Sequence, residues 1–297
     1  MYIIVCSDIA SHCETTALGH EIHMSRYVLC QLLHHNCISE SDTIVTRTED
    51  RCILYTKLFT NVITHNVFKK LQINPDEIVD LTEFMQTDYI NRPVSEETLA
   101  FFSKKLTFDF KEFLYGNNAA DVRYLLNNID YPSITNIDLI RKKFIIIHMR
   151  IVNSSNHVWE GKQSCQQLIN SLQDIDSSII CYTSYPVEKL DSPKKQITYI
   201  SDFSLYCALM NHDLCQVVIS EISGGGEISQ YCHNKTILLY TGAYNFGEPF
   251  LTKQMREIRP RLHVRWQGNE GSTNAILYKF PSLGELIKYN NLNAIVK

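Results

Sequence analysis

Three stretches of this sequence carry residue types and spacings suited to chemistry. The first is Phe144-Ile145-Ile146-Ile147-His148-Met149-Arg150, where an apolar run ends by delivering a His and an Arg to its carboxyl edge. Arg is always charged, and its forked donors match phosphate oxygens. A cation there can neutralise the charge that builds on a departing diphosphate. The same pair can equally be structural, with Arg150 in an ion pair and His148 capping the strand. The second stretch runs from Val217-Val218-Ile219-Ser220-Glu221 into Ser223-Gly224-Gly225-Gly226. Its glycines let a ligand approach the backbone closely, and the start of the following helix adds N–H groups that favour phosphate. A plain strand-to-helix turn is the competing reading. The third is the loop over residues 7–16 and just beyond, where Asp8, His12, Glu14 and His20 are candidates for a general base acting on a hydroxyl.

Other features weigh less. Ser201 and Asp202 are natural N-caps for the helix that follows them. Lys253, Arg256, Arg259, Arg261 and Arg265, interleaved with Phe250, His263 and Trp266, fit a solvated helix face and loop better than a nucleic-acid patch. His34-His35 falls near a helix end, where the dipole favours it. Neither G-x-x-x-x-G-K-[ST] nor G-x-G-x-x-G occurs, and no H-E-x-x-H, Cys/His cluster or D-x-D offers a metal-ligand set.

Elements must hold these groups in place. Residues 2–6 predict a buried strand, followed by a polar loop and a helix with Leu18, Ile22, Val28, Leu29, Leu32 and Leu33 on one face. Strands are expected at 43–46 and 61–64, with a helical stretch between Glu49 and Phe59. Residues 95–128 read as mostly helical, broken near Gly116. A turn-rich linker over 131–136 precedes a second series: strands at 144–147, 178–182, 197–200, 215–219 and 236–240, and helices at about 161–173 and 202–211. That alternation predicts an α/β protein of two Rossmann-like domains facing across a cleft, with parallel sheets and ligand groups at the strands' carboxyl ends.

Composition agrees. The 297 residues are 44% hydrophobic and 20% charged, suited to a globular core, and the net charge of −4 argues against nucleic acid as a partner. Ten scattered cysteines with no C-x-x-C pair read as reduced thiols of a cytoplasmic protein. No apolar run is long enough to span a membrane.

Taken together, the strand-end His148-Met149-Arg150, the late strand with its Ser/Gly turn, and the stretch from Asp202 through His212-Asp213 to Gly225 resemble the GT-B glycosyltransferases, in particular their fucosyltransferase-like branch. Thr46-Arg47-Thr48-Glu49-Asp50-Arg51, Leu54-Tyr55 and residues 59–64 look similar to the acceptor-side half of such enzymes. The resemblance implies residues 1–138 as the acceptor-side domain and 139–275 as the nucleotide-sugar domain. Residues 276–297, with Leu283, Leu286 and Ile287 in an amphipathic pattern, would cross back to the first domain.

It implies transfer of a sugar from a nucleotide-activated donor, GDP-linked donors included, to a hydroxyl of a glycan or other acceptor. Inversion is the expected outcome, and no metal or bound cofactor is needed. Arg150 and His148, with Asp8, His12 or Glu14 as base, would be catalytic. Arg150, Asp202, Glu221, Ser223, Gly224, Gly225 and Gly226 would bind the donor. Two alternatives share the fold: a nucleotide-sugar epimerase or hydrolase, and a non-catalytic nucleotide- or glycan-binding protein.

Overall fold

The computed structural model describes residues 1–6, 18, 21–82, 95–115, 120–134, 140, 142–148, 162–183, 189–221, 224–229, 231–232, 236–240, 276–280 and 282–289. They form two compact units that divide between Asp130 and Tyr131.

In the first unit, β1 (Tyr2–Ile4) leads by way of residue 18 to a π-turn (Glu21–Ser25) and α1 (Arg26–His34). Then come β2 (Thr43–Thr46), a 3-10 helix (Glu49–Leu54), β3 (Asn61–Thr64), α2 (His65–Phe68), a second 3-10 turn (Pro75–Glu77) and β4 (Ile78–Asp80). Helices α3 (Glu96–Leu106), α4 (Phe110–Tyr115) and α5 (Arg123–Leu126) follow. The four strands are parallel in the order β3-β2-β1-β4. Helix α3 shows why its sequence is helical. Ser95 caps it by accepting the Thr98 N–H at 3.1 Å, Glu96 and Glu97 lie at its positive end, and Lys104 and Lys105 at its negative end. Leu99, Phe102 and Leu106 recur at helical spacing and are buried. Thr107 ends it in the left-handed region, at φ 52°.

The second unit contains β5 (Phe144–His148), α6 (Lys162–Ser171), β6 (Ser178–Tyr182), β7 (Ile197–Ile200), α7 (Phe203–Met210) and β8 (Cys215–Glu221). It continues with α8 (Gly224–Ser229), β9 (Thr236–Tyr240), β10 (Ile276–Phe280) and α9 (Leu283–Lys288). Its six strands are parallel in the order β10-β9-β8-β5-β6-β7. Strand β5 is buried at every position, as a central parallel strand covered on both faces must be. On one face Ile145, Ile147, Ile179, Val217, Ile219 and Leu238 cluster with Leu168 and Ile169 of α6, with Leu172 just after it, and with Leu283 and Leu286 of α9.

Several expectations need correction. The opening helix does not run regularly from Leu18, because the π-turn interrupts its start. The first strand stops at Ile4, although Val5 still donates to the Val45 carbonyl. The stretch after Glu49 is a 3-10 helix of six residues. Strands β4 and β10 were not foreseen. Within the second unit β10 adds the strand beside β9, and α9 buries Leu283 and Leu286 against that unit's own core. There α9 covers an apolar face left by α6, which is where the amphipathic pattern of Leu283, Leu286 and Ile287 is used.

Arg26 is fully buried and ties the first unit's helices together. Its guanidinium donates to the carbonyls of Leu54 at 2.9 Å, Leu126 at 2.7 Å, Leu125 at 3.4 Å and Asn128 at 3.2 Å. These are mostly the end carbonyls of the 3-10 helix and of α5, which have no partner within their own helices. Arg26→Met keeps the length of the side chain but removes the donors. It should lower stability by about 3 kcal/mol, the cost of stranding several buried acceptors, read as a reduced urea midpoint by circular dichroism.

Candidate functional site at the carboxyl edges of the two sheets

In the second sheet the chain runs from β5 outward through β6 to β7, then returns to the other side of β5 for β8, β9 and β10. The β5/β8 boundary is therefore a topological switch point, where the crossovers diverge and where open α/β sheets generally bind their ligands. His148, Tyr182 and Ser220 occupy one register row across β5, β6 and β8 at that edge. Side chains in one row of parallel strands point to one face, so the three meet. His148 Nδ1 lies 2.9 Å from Ser220 Oγ, and its ring centroid lies 5.3 Å from that of Tyr182. Tyr206 of α7 stacks on Tyr182 at 4.1 Å and 9°, and its hydroxyl donates to the Gly225 carbonyl at 2.9 Å. Burial pushes the Tyr206 phenol well above its ordinary value, so it stays neutral and serves as a donor.

The Ser220 hydroxyl donates to the Glu221 carbonyl at 2.9 Å, which leaves its Oγ lone pairs to accept from His148 Nδ1.

The glycines of α8 serve this cluster. A Cβ on Gly225 would lie 2.5 Å from His148 Cε1, and one on Gly226 would collide with the Glu221 carbonyl oxygen. The first turn of α8 therefore rests directly on the imidazole and on the end of β8. At Gly225 and Gly226 the close neighbour is the protein itself. Both are buried, and His148 is only 3% exposed. His148 thus sits at the switch point as a sealed, hydrogen-bonded ring.

Glu221 ends β8 and is 3% exposed. Gly224 begins α8. Asp202 is exposed and caps α7, with its Oδ1 accepting the Leu205 N–H at 2.6 Å, the structural role its sequence also allowed. Asp8, His12, Glu14, His20, Arg150, Ser223 and the basic run from Lys253 to Arg265 lie outside the described residues. Among the described residues no group of His, Cys, Asp and Glu is placed to hold a metal ion, no helix is long and apolar enough to cross a membrane, and no disulfide joins the cysteines.

At the corresponding edge of the first sheet lies a cluster that sequence reasoning missed. Glu21, fully buried on the π-turn, accepts from Thr46 Oγ1 at 2.5 Å, Tyr55 OH at 3.0 Å and Arg51 Nη1 at 2.8 Å. Arg51 Nη1 also donates to Cys6 Sγ at 3.1 Å. Burial first, and then the Glu21 charge, push the Cys6 thiol and the Tyr55 phenol far above their ordinary values, so both stay protonated. Burial opposes the charge on Arg51, but Glu21, Cys6 and Asp50 together outweigh it and move the guanidinium above its ordinary range. The only sequence signal was a lone Glu set among apolar helical positions. The resemblance had drawn in Thr46, Arg51 and Tyr55 without Glu21.

No protein-family model and no curated protein matches the chain. Solved structures do. An Escherichia coli heptosyltransferase, WaaC, with ADP-2-deoxy-2-fluoro heptose is similar over 96% of this chain and 95% of that one, at 11% identity and a TM-score of 0.45. A family 9 glycosyl transferase from Veillonella parvula is similar over 100% and 93%, at 10% identity and a TM-score of 0.44. The iron-containing dodecameric glycosyltransferase TibC of enterotoxigenic E. coli is similar over 80% of this chain but only 57% of its own, at 12% identity and a TM-score of 0.45. These structures are heptosyl- and glycosyltransferases, and they lend no support to the fucosyltransferase-like branch.

The packing of α8 on His148 makes a direct prediction. Gly225→Ala should lower stability by about 1–3 kcal/mol, as overpacking does. His148→Ala in the same chain should recover part of that loss, since the clashing ring is gone. A double-mutant cycle of urea midpoints measures the coupling.

Proposed function

We propose that the chain is a glycosyltransferase whose second unit binds a nucleotide sugar at the β5/β8 switch point. The observation that carries this reading is the strand order. From the β7 edge, the second sheet runs third, second, first, fourth, fifth and sixth in chain order, the arrangement that opens a nucleotide crevice beside its first strand. The groups at that point suit a diphosphate sugar. Arg150 follows His148 by two residues in sequence and supplies the cation for the diphosphate as the leaving group departs. The sealed His148–Ser220 pair fixes the end of β5, two residues before Arg150 in sequence. Glu221, buried at the end of β8, holds a ribose or sugar hydroxyl, and the backbone of residues 223–226 borders the phosphates.

The first unit takes the hydroxyl acceptor, and Asp8, His12 or Glu14 removes its proton. Attack from the face opposite the diphosphate gives inversion. Arg150 together with backbone N–H groups neutralises the leaving group without a metal. GDP-linked sugars remain candidate donors, and ADP-heptose, the nucleotide sugar in a TibC complex, joins them.

A thermal-shift screen of the purified protein against ADP, GDP, UDP, CMP, dTDP and their sugars tests the reading, with magnesium and with a chelator. A ligand at about 100 times its dissociation constant adds about 2.7 kcal/mol, a shift of several degrees. The expected result is a clear upward shift with one nucleotide family, the same with and without metal and lost in Arg150→Ala. No shift with any of them would overturn the donor-site assignment. Binding that persists in Arg150→Ala with no transfer to any hydroxyl acceptor would favour a non-catalytic nucleotide-binding protein.

A further inference from the structure

Cys6 and Glu21 flank residues 7–20, the stretch that bears Asp8, His12 and Glu14. One guanidinium joins the two flanks, since Arg51 Nη1 donates to Glu21 Oε2 at 2.8 Å and to Cys6 Sγ at 3.1 Å. Glu21 is gripped from its other oxygen by Thr46 at 2.5 Å and Tyr55 at 3.0 Å. Glu21, Thr46 and Tyr55 are all fully buried, so water does not compete for these bonds. A carboxylate with three donors on two oxygens has little freedom to reorient.

The π-turn delivers Glu21 to this position. A π-turn holds one residue more than the α-helical turn it replaces. Removing that residue would rotate Glu21 by about 100° relative to α1 and take it away from Thr46 and Tyr55. The unusual turn and the polar cluster therefore require each other. Arg51 stands on the 3-10 helix that follows β2, so the chain of contacts runs from the π-turn through the carboxylate and the guanidinium to the exit of β1.

We propose that Glu21 is a positioning residue that, through Arg51, fixes the two flanks of residues 7–20 to one another at the carboxyl edge of the first sheet. The inference stands apart from the transferase reading, because it concerns the flanks and not a ligand.

Cys6 is a built-in reporter. Site-resolved mass spectrometry of iodoacetamide labelling in the full chain gives a rate for each thiol. In the wild type Cys6 should react as slowly as the buried Cys30 and Cys181. Glu21→Gln leaves the Arg51 charge acting on the thiol alone and loosens the flank. It should raise the Cys6 rate about tenfold and start the reaction at lower pH, while Cys30, Cys165 and Cys181 keep their wild-type rates. Thr46→Val removes one hydrogen bond from Glu21 and leaves every charge in place. It should give a smaller rise, about threefold, in Cys6 alone, and it decides the matter if Glu21→Gln does not fold. Glu21→Asp should restore part of the wild-type protection. A Cys6 rate unchanged in Thr46→Val, or a rise there shared by all the buried thiols, would overturn the proposal, the latter because it reports general loosening.

Discussion

Parallel pairing on both sides of β5 is the constraint from which the second unit follows. A parallel strand cannot turn back on its neighbour, so every connection crosses over and every strand ends at the same edge. Because β5 pairs with β6 on one side and β8 on the other, the connections leave in two directions and part above its carboxyl end. The row His148, Tyr182 and Ser220 stands there because register puts it there. The imidazole fills the space under α8, which can descend that far only because positions 225 and 226 have no side chain. Tyr206 then ties α7 to α8 from the side. Each of these contacts presupposes the one before it, and all presuppose the pairing.

The first four strands of the two units share one order, yet the two edges are filled by different chemistry. The second uses an imidazole, a hydroxyl and stacked phenols. The first uses a buried ion pair, Glu21 with Arg51. Neutral groups cost little to bury once bonded, whereas charges cost several kcal/mol each and regain it only in good geometry. A buried ion pair is thus poor as a source of net stability and good as a device that tolerates one arrangement. That difference fits an edge where groups must be held in place.

Much of the architecture was legible in the sequence. The runs at 178–182, 197–200 and 236–240 coincide with β6, β7 and β9, since buried parallel strands are written as short apolar runs between turns. Strand β4 has three residues and little to distinguish it. The π-turn was hidden because Leu18 and Ile22 fit a regular helix nearly as well. The site was half legible. His148 and the glycines stood out, but sequence does not say which body comes close to a glycine, and here it is the imidazole. Glu21, Thr46, Arg51 and Tyr55 are near one another only after β1 and β2 pair, so no local pattern gathers them.

The last pieces of the chain have a consequence for how it is made. Among the described residues, the first sheet has its four strands once Asp80 is in place. The second is otherwise: β10 and α9, within residues 276–288, supply its outer strand and cover Leu168 and Ile169 of α6 and Leu172 just after it. During synthesis the described strands of the two sheets are therefore completed far apart in time. For most of the second half's translation an apolar face waits without its cover beside a sheet edge that still offers open hydrogen bonds, the form of a nascent chain most exposed to aggregation and to capture by chaperones.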